Sequence, residues 1–102
     1  MTLLLAFLGA VFLSNALPHL AAGLRGEDFP TPFARPHGVG MSSPLVNFLW
    51  GSANLLAGLL LGSAAGVRVA LTPVFAAAIV GFLLMGAFSS IHFGRVRRGK
   101  AK

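Results

Sequence analysis

Cysteine is absent from this 102-residue chain, and only two of its residues are acidic. The lack of cysteine excludes disulfides, thiolate metal sites and cysteine nucleophiles. The two acids, Glu27 and Asp28, are adjacent and so are not spaced as a catalytic carboxylate pair. The chain also lacks a Gly-rich phosphate loop and the HExxH and GxSxG motifs. We therefore expect neither a hydrolase nor a phosphoryl-transfer enzyme.

Charged residues make up only 10% of the chain, whereas hydrophobic residues make up 56% and the mean hydropathy is +0.84. A soluble domain of this size could not bury so much apolar surface. The composition therefore predicts an integral membrane protein that meets the lipid bilayer directly. The net charge of +6 would suggest nucleic-acid binding in a soluble protein. Here, however, five of the eight basic residues directly follow an apolar run, a position typical of membrane anchors that face anionic lipid. They are Arg95, Arg97, Arg98, Lys100 and Lys102.

Three apolar runs are each close to the roughly 20 residues that cross a hydrocarbon core. The second and third begin with a capping Ser or Thr followed by proline, a common helix start. We predict an all-α fold with transmembrane helices at about 3–22, 45–62 and 73–93. A Pro- and Gly-rich loop at 23–44, a short turn at 63–72 and a basic tail at 94–102 complete the chain. The short turn makes the second and third helices an antiparallel hairpin.

Basic residues are distributed unequally about the predicted helices. The first loop and the tail hold seven of the eight, and Arg68 alone lies in the short turn. Because Lys and Arg near helix ends are retained in the cytoplasm, we expect the amino end outside, the tail inside, and a bacterial-type inner (plasma) membrane. An alternative interpretation makes residues 1–22 a cleaved signal peptide, but no basic residue precedes that apolar run.

Small and polar residues form one stripe on each of the last two predicted helices. Helices in lipid associate through close packing and polar contacts, so we expect the two helices to meet along these stripes. Alternatively, the asparagines line a polar path or a ligand site. The stripes are Asn47, Gly51, Asn54, Gly58 and Gly62 on the second helix, and Ala78, Gly81, Met85, Ser89 and His92 on the third.

Three histidines, His19, His37 and His92, fall near the predicted cytoplasmic boundary. Asn15 lies four residues before His19 and therefore shares its helix face. Imidazole is a common metal and haem ligand, so the three rings could form a site if the fold brought them together. None of them has a nearby ligand of the kind found in compact metal motifs, so the sequence requires no cofactor. Interfacial packing is the simpler interpretation.

The first loop carries the most distinctive polar segment. One interpretation is a rigid connector in which aromatic residues enter the membrane interface and Arg25 or Arg35 pairs with Glu27 or Asp28. The functional interpretation is a docking surface or a lid, because loops often carry function. Its candidate residues are Asp28, Phe29, Phe33 and Arg35, next to expected headgroup contacts at Arg95, Arg97 and Arg98.

Two functional hypotheses remain. The first is a small subunit or accessory factor that packs against itself or against a larger membrane complex. The second is an oligomeric channel or transporter component, with Asn15, His19, Asn47 and Asn54 along the path. Small multidrug transporters couple to protons through a membrane-embedded glutamate, and no predicted span here contains one. Three helices also enclose little interior, so we favour the first hypothesis.

Overall fold

The computed structural model describes residues 1–101, and the side chains of residues 1–99. Its helices are α1 (Thr2–Leu24), α2 (Pro44–Ala65) and α3 (Pro73–Ala101). All three are long and apolar enough to cross a membrane. The predicted all-α class with three apolar helices is therefore confirmed. The first loop adds one small feature, strands β1 (Phe29–Pro30) and β2 (Met41–Ser42), which pair antiparallel.

The helix starts follow the capping signals in the sequence. Val46 N–H donates to Ser43 Oγ at 3.2 Å, and Phe75 N–H donates to Thr72 Oγ1 at 3.1 Å. Each cap precedes a proline, which loses nothing at the first turn because its missing N–H would be unpaired there. At the other end of α2, Gly66 adopts φ +70°. This left-handed conformation ends the helix at a residue without a Cβ.

Helix α3 does not end where its apolar run ends. The helix continues to Ala101, through the basic tail predicted from residue 94. Arginine and lysine are good helix formers, so the backbone hydrogen bonding continues into the polar segment.

Helix α1 is the centre of the bundle. It packs against both α2 and α3, whereas α2 and α3 have almost no contact within the described residues. The expectation that the second and third helices meet along their stripes is therefore wrong. The buried side of α1 consists mainly of small residues, so both neighbours approach it closely. Its buried residues are Ala6, Gly9, Ala10, Ser14, Ala16, His19 and Ala22.

Close contacts give the directions of the helices. Gly58 of α2 lies against Leu13, and Gly23 of α1 lies against Phe48, so α1 and α2 run antiparallel. Gly81 of α3 lies against Phe7, nearer the start of α1, so α1 and α3 run parallel. The first loop and the end of α3 consequently lie at the same end of the bundle.

The first loop folds back over that end. Phe29 packs on Phe93 of α3 with ring centroids 4.6 Å apart, and a His92 ring nitrogen hydrogen-bonds the carbonyl oxygen of Gly38 at 2.7 Å. Within the loop, the backbone at Gly40 lies so close to the backbone of Arg35 that an added Cβ would overlap it. The loop is therefore held against α3 by an aromatic contact and a hydrogen bond.

Candidate functional site

Four polar side chains join α1 to α2, and we call them the polar seam. Asn15 Nδ2 donates to Asn54 Oδ1 at 3.0 Å, and His19 Nδ1 lies 2.8 Å from Asn47 Oδ1. The sequence placed Asn15 and His19 on one face of α1, and the structure sets that face against the asparagines of α2. Each pair crosses the interface and connects the two helices directly.

Asn47 is the most highly connected residue of the polar seam. The two N–H groups of its Nδ2 are shared among the carbonyl oxygens of Phe29 at 2.9 Å, Ser43 at 3.1 Å and Ser42 at 3.2 Å. Because the amide nitrogen faces these acceptors, Oδ1 faces His19 and accepts a hydrogen bond from Nδ1–H. Asn47 is fully buried. It therefore links α1, β1 and the start of α2 through one side chain.

Glycines bring the helices close together. An added Cβ would lie 2.8 Å from Leu20 Cγ at Gly51 and 2.6 Å from Leu13 Cγ at Gly58. At Gly81, an added Cβ would overlap the backbone oxygen of Phe7. All three glycines therefore face α1. Gly62 continues the same stripe, but nothing lies within 4 Å of its added Cβ.

Aromatic rings surround His19 at the loop end of the bundle. Phe29, Phe93 and Trp50 approach it edge-on, with ring centroids at 5.4, 6.2 and 6.5 Å. Phe33 packs edge-on against Trp50 at 5.0 Å but remains 62% exposed. The two loop phenylalanines thus cover the buried end of the polar seam.

The three histidines occupy separate environments. His19 is buried in the polar seam, His92 stacks on Phe88 with centroids 5.7 Å apart, and His37 is exposed on the loop. Among the described residues, no group of three His, Cys, Asp or Glu side chains lies close enough to hold a metal ion. The convergence considered from the sequence is therefore not found in this part of the chain.

Two buried polar atoms have no hydrogen-bond partner within the described residues. They are Nε1 of Trp50 and Oγ of Ser89. Ser89 lies on the predicted stripe of α3, and its side chain is buried. Neither atom belongs to the polar seam, whose side chains are paired with one another.

The first loop and α3 enclose a cavity of about 280 Å³, which we call the loop groove. Its apolar lining, which we call the floor, includes Phe29, Met41 and Phe93. Four charged residues, two of each sign, also line it. They are Arg25, Glu27, Asp28 and Arg97.

One ion pair lies within the loop groove. Arg25 Nε donates to Glu27 Oε1 at 2.9 Å, and both side chains are more than half exposed. The hydrogen bond and charge of Arg25 lower the pKa of Glu27, with a smaller contribution from the charge of Arg97. The predicted pairing in the loop is therefore present, between Arg25 and Glu27.

Three other arginines named from the sequence lie outside the loop groove. Arg95 lines a second, open groove with Val39 and His92. Arg98 is exposed beside Gly94, and Arg35 is exposed on the loop. The arginines at the loop end therefore do not form a single cluster.

The close-packing role of α1 was missed from the sequence. Gly9, Ala16 and Gly23 recur every seven residues, a spacing that places them on one side of a helix. Gly9 faces Gly62, and Gly23 faces Phe48. The spacing argument that identified the stripe of α2 could also have identified these three residues of α1. The hydrogen bond between Thr31 and Ser42 had no comparable signal, because it depends on the pairing of β1 with β2.

Comparison with known proteins adds no relationship to this geometry. The chain matches no protein-family model, no curated protein and no solved structure.

Proposed function

We propose that this protein is a small, non-enzymatic membrane subunit or accessory factor that assembles with a second copy of itself or with a larger membrane complex. The main support is the exposed surface of α3. Helix α3 packs on α1 but hardly on α2, and 17% of its most apolar stretch is buried, compared with 22% for α2 and 33% for α1. Most of the surface of α3 is therefore open to a partner.

One exposed side of α3 has the spacing of a helix-packing surface, and we call it the outer stripe. Its five residues are separated by four, three, four and three positions, and three of them are Ala or Ser. Small residues at such spacing allow another helix to approach closely in lipid. The outer stripe consists of Ala76, Val80, Leu83, Ala87 and Ser90, all exposed.

The channel hypothesis has less support. It requires Asn15, His19, Asn47 and Asn54 to face a solute, yet these side chains are hydrogen-bonded across the interface of α1 and α2. Opening a path along them would break both interhelical contacts. In the present geometry, the same residues are better suited to holding α1 and α2 together.

The assembly proposal is tested by native mass spectrometry of the tagged protein, extracted gently from its own membrane. We expect a mass greater than that of one 10.5 kDa chain. The additional mass should come from one or more further protein chains. Ala87→Phe should remove the partner because it places a large ring in the outer stripe. Ala53→Phe is the matched control, since Ala53 is an exposed alanine of α2. A wild-type mass of one chain, or loss of partner in both variants alike, would contradict the proposal.

We further propose that the amino end faces outward and the basic end of α3 faces the cytoplasm of a bacterial-type inner membrane. The support is the charge distribution, with Arg68 isolated from the other seven basic residues. The chain contains no cysteine, so single cysteines can be labelled without a background. Arg68→Cys should react with an impermeant maleimide from outside, and Arg98→Cys should react only after permeabilisation. Reaction of both from the same side would exclude the arrangement.

A further inference from the structure

The loop groove contains two charges of opposite sign without a partner in the described part of the chain. Arg25 and Glu27 satisfy one another. Asp28 and Arg97 line the same cavity, and neither forms an ion pair within residues 1–99. Within the described residues, the groove therefore offers a carboxylate and a guanidinium that form no ion pair, together with apolar side chains.

The position of the groove along α3 matches the level of lipid headgroups. From Pro73 to Phe93, an α-helix rises about 30 Å, which is the thickness of a typical hydrocarbon core. Phe93 lies in the groove floor, and Arg97 lies one turn farther on. If α3 crosses the bilayer, its charged groove residues meet headgroups while the floor meets the upper acyl chains.

We propose that the loop groove binds one phospholipid whose headgroup carries both a phosphate and a primary ammonium. Arg97 contacts the phosphate, since guanidinium pairs well with phosphate oxygens. Asp28 accepts a hydrogen bond from the ammonium. Phe29, Met41 and Phe93 cover the glycerol region and the first acyl carbons. This inference goes beyond the proposed assembly, because it concerns lipid at the loop end rather than a protein on α3.

The charge pattern distinguishes this lipid from others with the same chains. Phosphatidylglycerol offers the same phosphate to Arg97, but its neutral glycerol headgroup offers no cation to Asp28. Phosphatidylcholine carries a cation that has no N–H to donate. Phosphatidylethanolamine satisfies both groove charges, so we expect it to bind most tightly.

The test is native mass spectrometry of the purified, delipidated full chain titrated with three dioleoyl lipids: phosphatidylethanolamine, phosphatidylglycerol and phosphatidylcholine. We expect the first lipid bound to the wild type to prefer phosphatidylethanolamine by about fivefold, which corresponds to about 1 kcal/mol, the upper range for an exposed ion pair. Arg97→Gln should weaken the binding of all three lipids, because each of them carries the phosphate that Arg97 contacts. Asp28→Asn should weaken phosphatidylethanolamine while leaving phosphatidylglycerol unchanged or tighter.

Arg98→Gln is the matched control, because it removes the same charge one residue away and outside the groove lining. It should retain the wild-type affinity for all three lipids. All of these side chains are exposed, and unchanged far-UV circular dichroism would verify that each variant folds. Equal binding of the three lipids by the wild type, or equal losses in the Arg97 and Arg98 variants, would overturn the proposal. Either result would leave only a general attraction between the basic end of α3 and lipid.

Discussion

Replacing Asn47 with leucine should cost about one and a half times as much unfolding free energy as replacing Asn54 with leucine. Asn47 can form three side-chain hydrogen bonds at once, because Oδ1 accepts from His19 and the two N–H groups of Nδ2 are shared among three backbone carbonyl oxygens. Asn54 has two, to Asn15 and to the carbonyl oxygen of Trp50. At about 0.6 kcal/mol for each hydrogen bond in a membrane protein, the losses are about 1.8 and about 1.2 kcal/mol.

The measurement is reversible unfolding in mixed micelles by titration with sodium dodecyl sulfate, followed by circular dichroism and tryptophan fluorescence. Trp50 is the only tryptophan and packs against His19 and Phe33, so its emission reports on the loop end of the bundle. Ala53→Leu serves as a control on the exposed side of α2 and should change stability by less than about 0.5 kcal/mol. Equal losses for the two asparagines, or a larger loss at Asn54, would refute the reasoning from the hydrogen-bond network.

Three further predictions concern other parts of the structure. Gly81→Leu should destabilise the chain by about 2 kcal/mol or more, because its Cβ overlaps the backbone of α1, whereas Gly62→Ala has open space and should be nearly neutral in the same titration. Carbon-detected NMR should find the pKa of Glu27 below its ordinary value, so that its ion pair is lost as the pH falls through that lowered pKa. Arg25→Gln should raise the Glu27 pKa, and an unchanged value would contradict the pairing. Nitrogen-15 NMR of His19 should find its neutral form protonated at Nδ1, and a proton on Nε2 alone would reverse the assigned hydrogen bond.

The helix starts could be read from the sequence because their causes are local. Ser43 and Thr72 each cap a helix that begins with a proline, and both caps are formed by neighbours in the chain. The end of α3 was predicted less well. Its apolar run stops near Phe93, but the helix continues because polar residues such as Arg97 satisfy the same backbone geometry.

The candidate site was predictable only in its components. Asn15 and His19 share a helix face by spacing, and so do Asn47 and Asn54, but spacing does not say which two faces meet. The structure pairs these residues with one another across α1 and α2. The loop groove was even harder to predict from the sequence, because it brings residues 25–30 beside residues 93–97. That proximity follows from the helix directions and from the fold of the loop.

The sequence by itself determined the number of apolar helices, their starts and the concentration of basic charge after the third apolar run. Hydropathy and capping depend on residues adjacent in the chain, so no knowledge of distant contacts was needed. Only the tertiary structure decided that α1 stands between α2 and α3. That choice depends on which small faces fit together at close range: Gly9 and Gly23 of α1 allow α2 to approach, and Gly81 of α3 allows α3 to approach Phe7 of α1.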